Sequence, residues 1–232
     1  MNGGLVKTSG SQLYNGPTTL GGATTLQTAG GDITATGAMN ATAGVLTISS
    51  GVGSATFNNT SNNFGTVQVT SGGAVALVDS NAMTVGSSVL SSLTARTITG
   101  DLTLGGNITA TGGGDSIVLA AGSNFNNAGG FTLTPGTGRW LVYTSDHATA
   151  IFGGLSSGNL ALWNQNYVSN PPSSITQAGN RYLFGTSDSL LNSSVGMTAN
   201  MLCSSSPYFS QYTRDYESSD LARRRTNGRC LV

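Results

Sequence analysis

Six short runs set what this chain can fold into: Leu46-Thr47-Ile48, Val67-Gln68-Val69, Val75-Ala76-Leu77, Met83-Thr84-Val85, Leu102-Thr103-Leu104 and Phe131-Thr132-Leu133. In each, apolar residues flank a small or polar one, the period of two expected of a strand with one buried face. The runs are rich in Thr and β-branched residues. Gly, Ser, Asn and Asp separate them, and these are turn residues. No stretch reads as an amphipathic helix. The runs also recur at a distance. Gly30-Gly31-Asp32-Ile33-Thr34-Ala35-Thr36-Gly37 returns as Gly105-Gly106-Asn107-Ile108-Thr109-Ala110-Thr111-Gly112, 75 residues on from Ile33 to Ile108. Ser50-Gly51 and Ser71-Gly72 follow similar strands 21 residues apart. Short strands repeating at roughly 20 residues point to a solenoid. The 75-residue offset then spans three or four turns, and residues 1–138 hold about six. The expected fold class is all-β: a right-handed parallel β-helix. An antiparallel sandwich is the competing all-β fold, but a long-offset repeat is not expected of it.

Composition agrees with a folded chain of unusual surface. Only 8% of residues are charged, against about 25% in ordinary globular proteins. A disordered chain of low hydrophobicity is usually strongly charged, whereas this one is neutral and 38% apolar. Its surface is therefore expected to consist of hydroxyls and amides. A net charge of zero gives no pull toward nucleic acid or anionic lipid. No apolar run approaches the roughly 18 residues of a membrane span. The start, Met1 to Lys7, lacks the apolar stretch of a signal peptide, and the natural N-terminus is expected further upstream.

Three zones follow from texture. Residues 1–138 are the expected β-helix turns, with six charged side chains: Lys7, Asp32, Asp79, Arg96, Asp101 and Asp115. Their only aromatics are Tyr14, Phe57, Phe64, Phe125 and Phe131, as suits a narrow core. Asn58-Asn59 and Asn62-Asn63 are candidate corners where amides stack from turn to turn. Residues 139–190 gather Trp140, Tyr143, Phe152, Trp163, Tyr167, Tyr182 and Phe184, together with a Gly-rich loop from Gly153 to Asn159 and Pro171-Pro172. This zone reads as an aromatic capping or connecting segment, because the end of a solenoid exposes an apolar cross-section. Residues 191–232 hold Cys203, Cys230 and the run Arg223-Arg224-Arg225, with no visible period, and a tail of low order is expected there. Whether the two cysteines pair is left open.

The middle zone carries a resemblance. Gly138-Arg139-Trp140-Leu141-Val142-Tyr143, Phe152-Gly153-Gly154-Leu155, Leu162-Trp163-Asn164, Pro171-Pro172 and Gly179-Asn180-Arg181-Tyr182-Leu183-Phe184 resemble a segment of filamentous-haemagglutinin-like exoproteins. These are large passengers of two-partner secretion systems. Asp115 to Phe125 is similar to the turn that precedes that segment in the family. The resemblance covers about residues 100–188 in detail and residues 18–100 in style only. It implies a structural and adhesive segment of a secreted bacterial surface protein. Its implied partners are an outer-membrane transporter during secretion and a host or neighbouring-cell surface, protein or glycan. Neutral charge and the sparse motifs weighed below add the expectation of no enzyme, no cofactor and no nucleic-acid partner. His147 stands where the family pattern suggests proline, and the chain after Leu190 does not resemble the small β domains that often follow.

Candidate chemistry is sparse, and no catalytic, cofactor-binding or metal-binding residue is selected. Gly154-Leu155-Ser156-Ser157-Gly158 matches the G-x-S-x-G nucleophile elbow, but the sole histidine, His147, precedes it and the surroundings read as loop. Gly112-Gly113-Gly114-Asp115-Ser116-Ile117 has the wrong spacing for a calcium-binding β-roll repeat and occurs once. A polysaccharide-active β-helix enzyme needs clustered carboxylates, and no pattern pairs Asp32, Asp79, Asp101 and Asp115. Two cysteines without a histidine cluster do not make a zinc site, and the arginine run reads as solvated. Thr34-Ala35-Thr36, Thr109-Ala110-Thr111 and Thr132-Leu133-Thr134 form an irregular candidate for an ice-binding hydroxyl array.

Overall fold

A computed structural model describes residues 1–158 and 160–186. The expectations for residues 191–232, including Cys203, Cys230 and the arginine run, lie outside the described residues. The chain coils. Its first turn is β1 (Gly4–Thr8), β2 (Gln12–Tyr14) and β3 (Thr18–Thr19). There follow β4 (Thr24–Thr28), β5 (Ile33–Ala35), β6 (Met39–Ser49), β7 (Ala55–Phe57), β8 (Asn63–Ser71) and β9 (Ala74–Asp79). Next come β10 (Met83–Val85), β11 (Ser88–Leu90), β12 (Ser92–Thr97), β13 (Leu102–Leu104), β14 (Ile108–Ala110) and β15 (Asp115–Ala120). The last are β16 (Phe125–Asn126), β17 (Leu133–Thr134), β18 (Arg139–Thr144), β19 (Ala161–Trp163) and β20 (Arg181–Phe184). The one helical element among the described residues is a single 3-10 turn, Pro172–Ser174.

All strand pairings among the described residues are parallel, and they build three walls of eight, three and nine strands. The protein is therefore a parallel β-solenoid of about nine turns. Gly4 lies opposite Thr24, Thr24 opposite Leu46, and Leu46 opposite Val67, steps of 20, 22 and 21 residues. Within residues 1–138 the first wall has seven strands along its path (β1, β4, β6, β8, β10, β13 and β16) and the nine-stranded wall six (β2, β5, β7, β9, β12 and β15), in keeping with the expected six or so turns.

The period-two runs do what their spacing predicts. Leu46 and Ile48 point inward around half-buried Thr47, as do Val67 and Val69 around Gln68. The sixth run fits less well: Leu133 is buried in β17, whereas Phe131 precedes the strand and is half-buried against Gly129. Stacked turns align the inward positions into columns. One column of the nine-stranded wall runs Ile33, Ala55, Val75, Leu93, Ile117, Trp140. Its neighbour runs Ala35, Phe57, Leu77, Ala95, Leu119, Val142, Tyr182. Each turn thus buries a few aliphatic side chains against the turns on either side.

The 75-residue repeat is not a repeat of the coil. Four turns beyond Ile33 on the same wall stands Ile117, whereas Ile108 lies in β14 on the three-stranded wall. Both octapeptides form a three-residue strand with its outer two residues buried. Such a unit fits any wall. The number of residues between corners decides which wall it joins.

Corners are built from close backbone approach and side-chain acceptors. Gly31, Gly53 and Gly73 each stand two positions before Ile33, Ala55 and Val75, which are successive members of one inward column. A Cβ on Gly31 would lie 2.6 Å from the Ser11 nitrogen, and one on Gly53 would lie 2.3 Å from the Gly31 oxygen. Only glycine fits where successive turns touch this closely. At the Asn62 corner, the buried amide donates to the Phe57 and Val78 carbonyls and accepts from the Met39 N–H, tying three turns together. Asn81 donates to the Asn63 amide oxygen at 3.1 Å, the turn-to-turn amide contact expected of this Asn-rich stretch.

Candidate functional site

The four acids of the solenoid have structural partners. Asp32 accepts the Ser54 N–H at 2.8 Å, and Asp101 accepts the Asn124 N–H at 2.9 Å, each on the following turn. Asp79, fully buried, accepts the N–H groups of Phe64 and Asn81. Burial pushes its carboxyl above the usual range, and the two N–H donors pull it part of the way back. Asp115 pairs with Arg139 at 2.5 Å. Its neighbour Gly114 has φ +65, so the Gly112–Gly114 stretch serves as a turn into β15. Among the described residues, no group of three His, Cys, Asp or Glu side chains is arranged to hold a metal.

The G-x-S-x-G string lies in the loop between β18 and β19. The exposed Ser156 accepts the Gly158 N–H at 3.2 Å, and Ser157 accepts the Leu160 N–H at 3.1 Å. The next element after it is the strand β19, not a helix, so the strand-to-helix context of a nucleophile elbow is missing. His147 sits edge-on to Trp163 and Phe184, 5.0 and 5.8 Å between centroids. The three Thr strings divide between walls. Thr34 is on the nine-stranded wall, while Thr109 and Thr134 are partners on the three-stranded one.

The aromatic zone does two things at once. Its strands continue the nine-stranded wall, but out of chain order: β18 pairs with β20, and β20 pairs with β19, which forms the outer edge. Inward, Trp140, Trp163, Tyr182 and Phe184 join the main core, with Trp140–Tyr182 and Trp163–Phe184 centroids 4.9 and 4.5 Å apart. Large rings thus close the apolar cross-section. Outward, the segment between β19 and β20 folds back over the wall. It creates a second small core from Val118, Ala120, Leu141, Tyr143, Ile175 and Leu183. These last strands are accordingly buried on both faces, as their unbroken apolar sequence requires.

Polar anchors hold this lobe in place. Arg139 donates to the Ile175 and Gln177 carbonyls as well as to Asp115. Asn180 accepts the Trp140 N–H at 2.9 Å, and Tyr143 donates to the Asn170 carbonyl at 2.9 Å. Burial first, then the charge of Asp115, holds the Tyr143 phenol well above its ordinary pKa, so it remains a donor.

Where the lobe overhangs the wall it leaves a notch of about 190 Å³. Ala120, Ala121 and Gly122 are among its lining residues, with Tyr143 and Tyr167 beside them and Gln165 and Asn166 from the overhanging segment. Arg96, half-buried, lies with its guanidinium carbon 5.1 Å from the centre of the Tyr167 ring. The sequence signal was thin. Arg96 is one of only six charges in its zone, but its meeting with Tyr167 depends on the path of the lobe. Compared with known proteins, the chain matches no protein-family model, no curated protein and no solved structure.

Proposed function

We propose that this chain is a structural and adhesive segment of a large secreted bacterial surface protein of the filamentous-haemagglutinin-like kind. In this reading it is a stiff spacer that holds binding surfaces away from the cell. One observation carries it. The strings that resemble that family, Gly138–Tyr143 and Gly179–Phe184, include neighbouring strands at the closing end of a parallel β-solenoid. Their characteristic Arg139 and Asn180 make the bonds that close it. The sparse charge of the whole chain fits a spacer presented to cell surfaces. Secretion through an outer-membrane transporter, and a host or neighbouring-cell protein or glycan as partner, belong to the same reading.

The test couples the full chain to fluorescent beads and measures attachment to epithelial and bacterial cells. Saturable attachment, lost when the chain is heat-unfolded, is the expected result. No attachment above that of albumin beads would overturn the adhesive reading. Steady release of reducing ends from polysaccharides by the same preparation would replace it with an enzymatic one.

A further inference from the structure

We propose that the notch at Arg96 binds a single carboxylate-bearing sugar unit, a uronic or sialic acid. The proposal deepens the adhesive reading above and rests on it for its biological meaning. It starts from the arginines. Of the three among the described residues, Arg139 is occupied by Asp115 and two carbonyls, and Arg181 donates to the Gln177 and Ala178 carbonyls. Arg96 has neither ion pair nor hydrogen bond among the described residues, and its guanidinium lies over the Tyr167 ring. The ring supplies no hydrogen-bond acceptor of the strength of a carboxylate, so the guanidinium donors can meet a planar oxyanion. A carboxylate matches that fork with two parallel hydrogen bonds.

Charge and size narrow the ligand. Arg96 is the sole charged residue lining the notch, so one monoanion balances it, whereas a phosphate or sulfate cluster would need further cations. The volume, about 190 Å³, is below the roughly 300–1,000 Å³ of usual small-molecule sites. One sugar ring fits that scale and an extended oligosaccharide does not. Half-buried Ala121 and exposed Val168 offer apolar surface to a ring face, and Gln165 and Asn166 offer amides to hydroxyls. A single weak site is useful to an adhesin when many copies engage one surface.

The experiment titrates the full chain with glucuronic acid, N-acetylneuraminic acid, glucose and acetate, read by saturation-transfer NMR. At least one sugar acid is expected to saturate with a Kd in the millimolar range or below, with glucose and acetate at least about tenfold weaker. Arg96→Gln should weaken that sugar acid by at least about tenfold, Arg96→Lys by less, and Ala121→Leu should block the notch; circular dichroism verifies folding of each variant. Equal affinity of wild type and Arg96→Gln, acetate binding as tightly as the sugar acids, or no saturation below about 50 mM would each overturn the proposal. Bead attachment separates the two levels. If wild-type beads attach to cells but no sugar acid binds, the notch proposal fails and the adhesive reading stands. If a sugar acid binds but the beads do not attach, the adhesive reading fails.

Discussion

At the scale of single residues, buried polar groups at the corners matter more than any surface charge. Asn62 satisfies a donor and two acceptors from three different turns, and it is fully buried. Asn62→Ala removes all three partners and leaves the Met39 N–H with none, a loss on the order of 3 kcal/mol. Urea denaturation measures it, and a loss below about 1 kcal/mol would show that solvent reaches the corner. Asp79 makes a different prediction because its carboxyl titrates. Burial raises its folded pKa above the unfolded value. The folded state therefore holds this proton more tightly, and the associated stability is present at low pH and lost as pH rises through the folded pKa. Asp79→Asn cannot titrate. Between pH 4 and pH 7, wild type should lose stability relative to Asp79→Asn, and parallel curves for the two proteins would contradict the assignment.

At the scale of elements, glycine spacing and double burial set the geometry. Gly53→Ala brings a Cβ to 2.3 Å from the Gly31 carbonyl oxygen, a backbone atom that no rotamer change can move. Gly10, at the matching corner of the first turn, has nothing within 4 Å. Gly53→Ala should cost about 2–3 kcal/mol and Gly10→Ala under about 1 kcal/mol in thermal or urea unfolding. Similar costs at both sites would mean that the corner column is not tight. This element scale also marks what the sequence discloses. The runs around Thr47, Gln68, Ala76, Thr84 and Thr103 were legible because a half-buried strand writes its burial as a period of two. The wall each strand joins was not legible, since Ile33 and Ile108 sit in nearly identical strings on different walls. The clustering of large rings around Trp140 was visible in the sequence, whereas the insertion of β20 between β18 and β19 was not. That order arises because the segment from 164 to 180 leaves the coil and returns, and local pattern carries no record of a long excursion. The Arg96 notch was hidden for the same reason.

At the scale of the whole molecule, the solenoid has no single centre, and each turn contacts mainly its neighbours. Stability is then a sum of turns and the interfaces between them, and damage at one end should not be felt equally at the other. The closing lobe gives a clean place to apply it. Leu183 is fully buried in the outer core beside Leu141 and Tyr143, and its backbone pairs β20 to both β18 and β19. Leu183→Asp places a charge there without a partner, which costs several kcal/mol locally and opens the lobe. Hydrogen exchange on the full chain, read by mass spectrometry, follows where that loss travels. Protection should fall most in β18 and β20, less in β15 and β12, and least in β5 and β4, a gradient running from the closing end toward the first turns. A globular domain with one cooperative core would instead lose protection evenly. A uniform fall across all strands would therefore refute independent turns, and with them the idea that the stack works as an extended spacer whose far end tolerates changes at the near one.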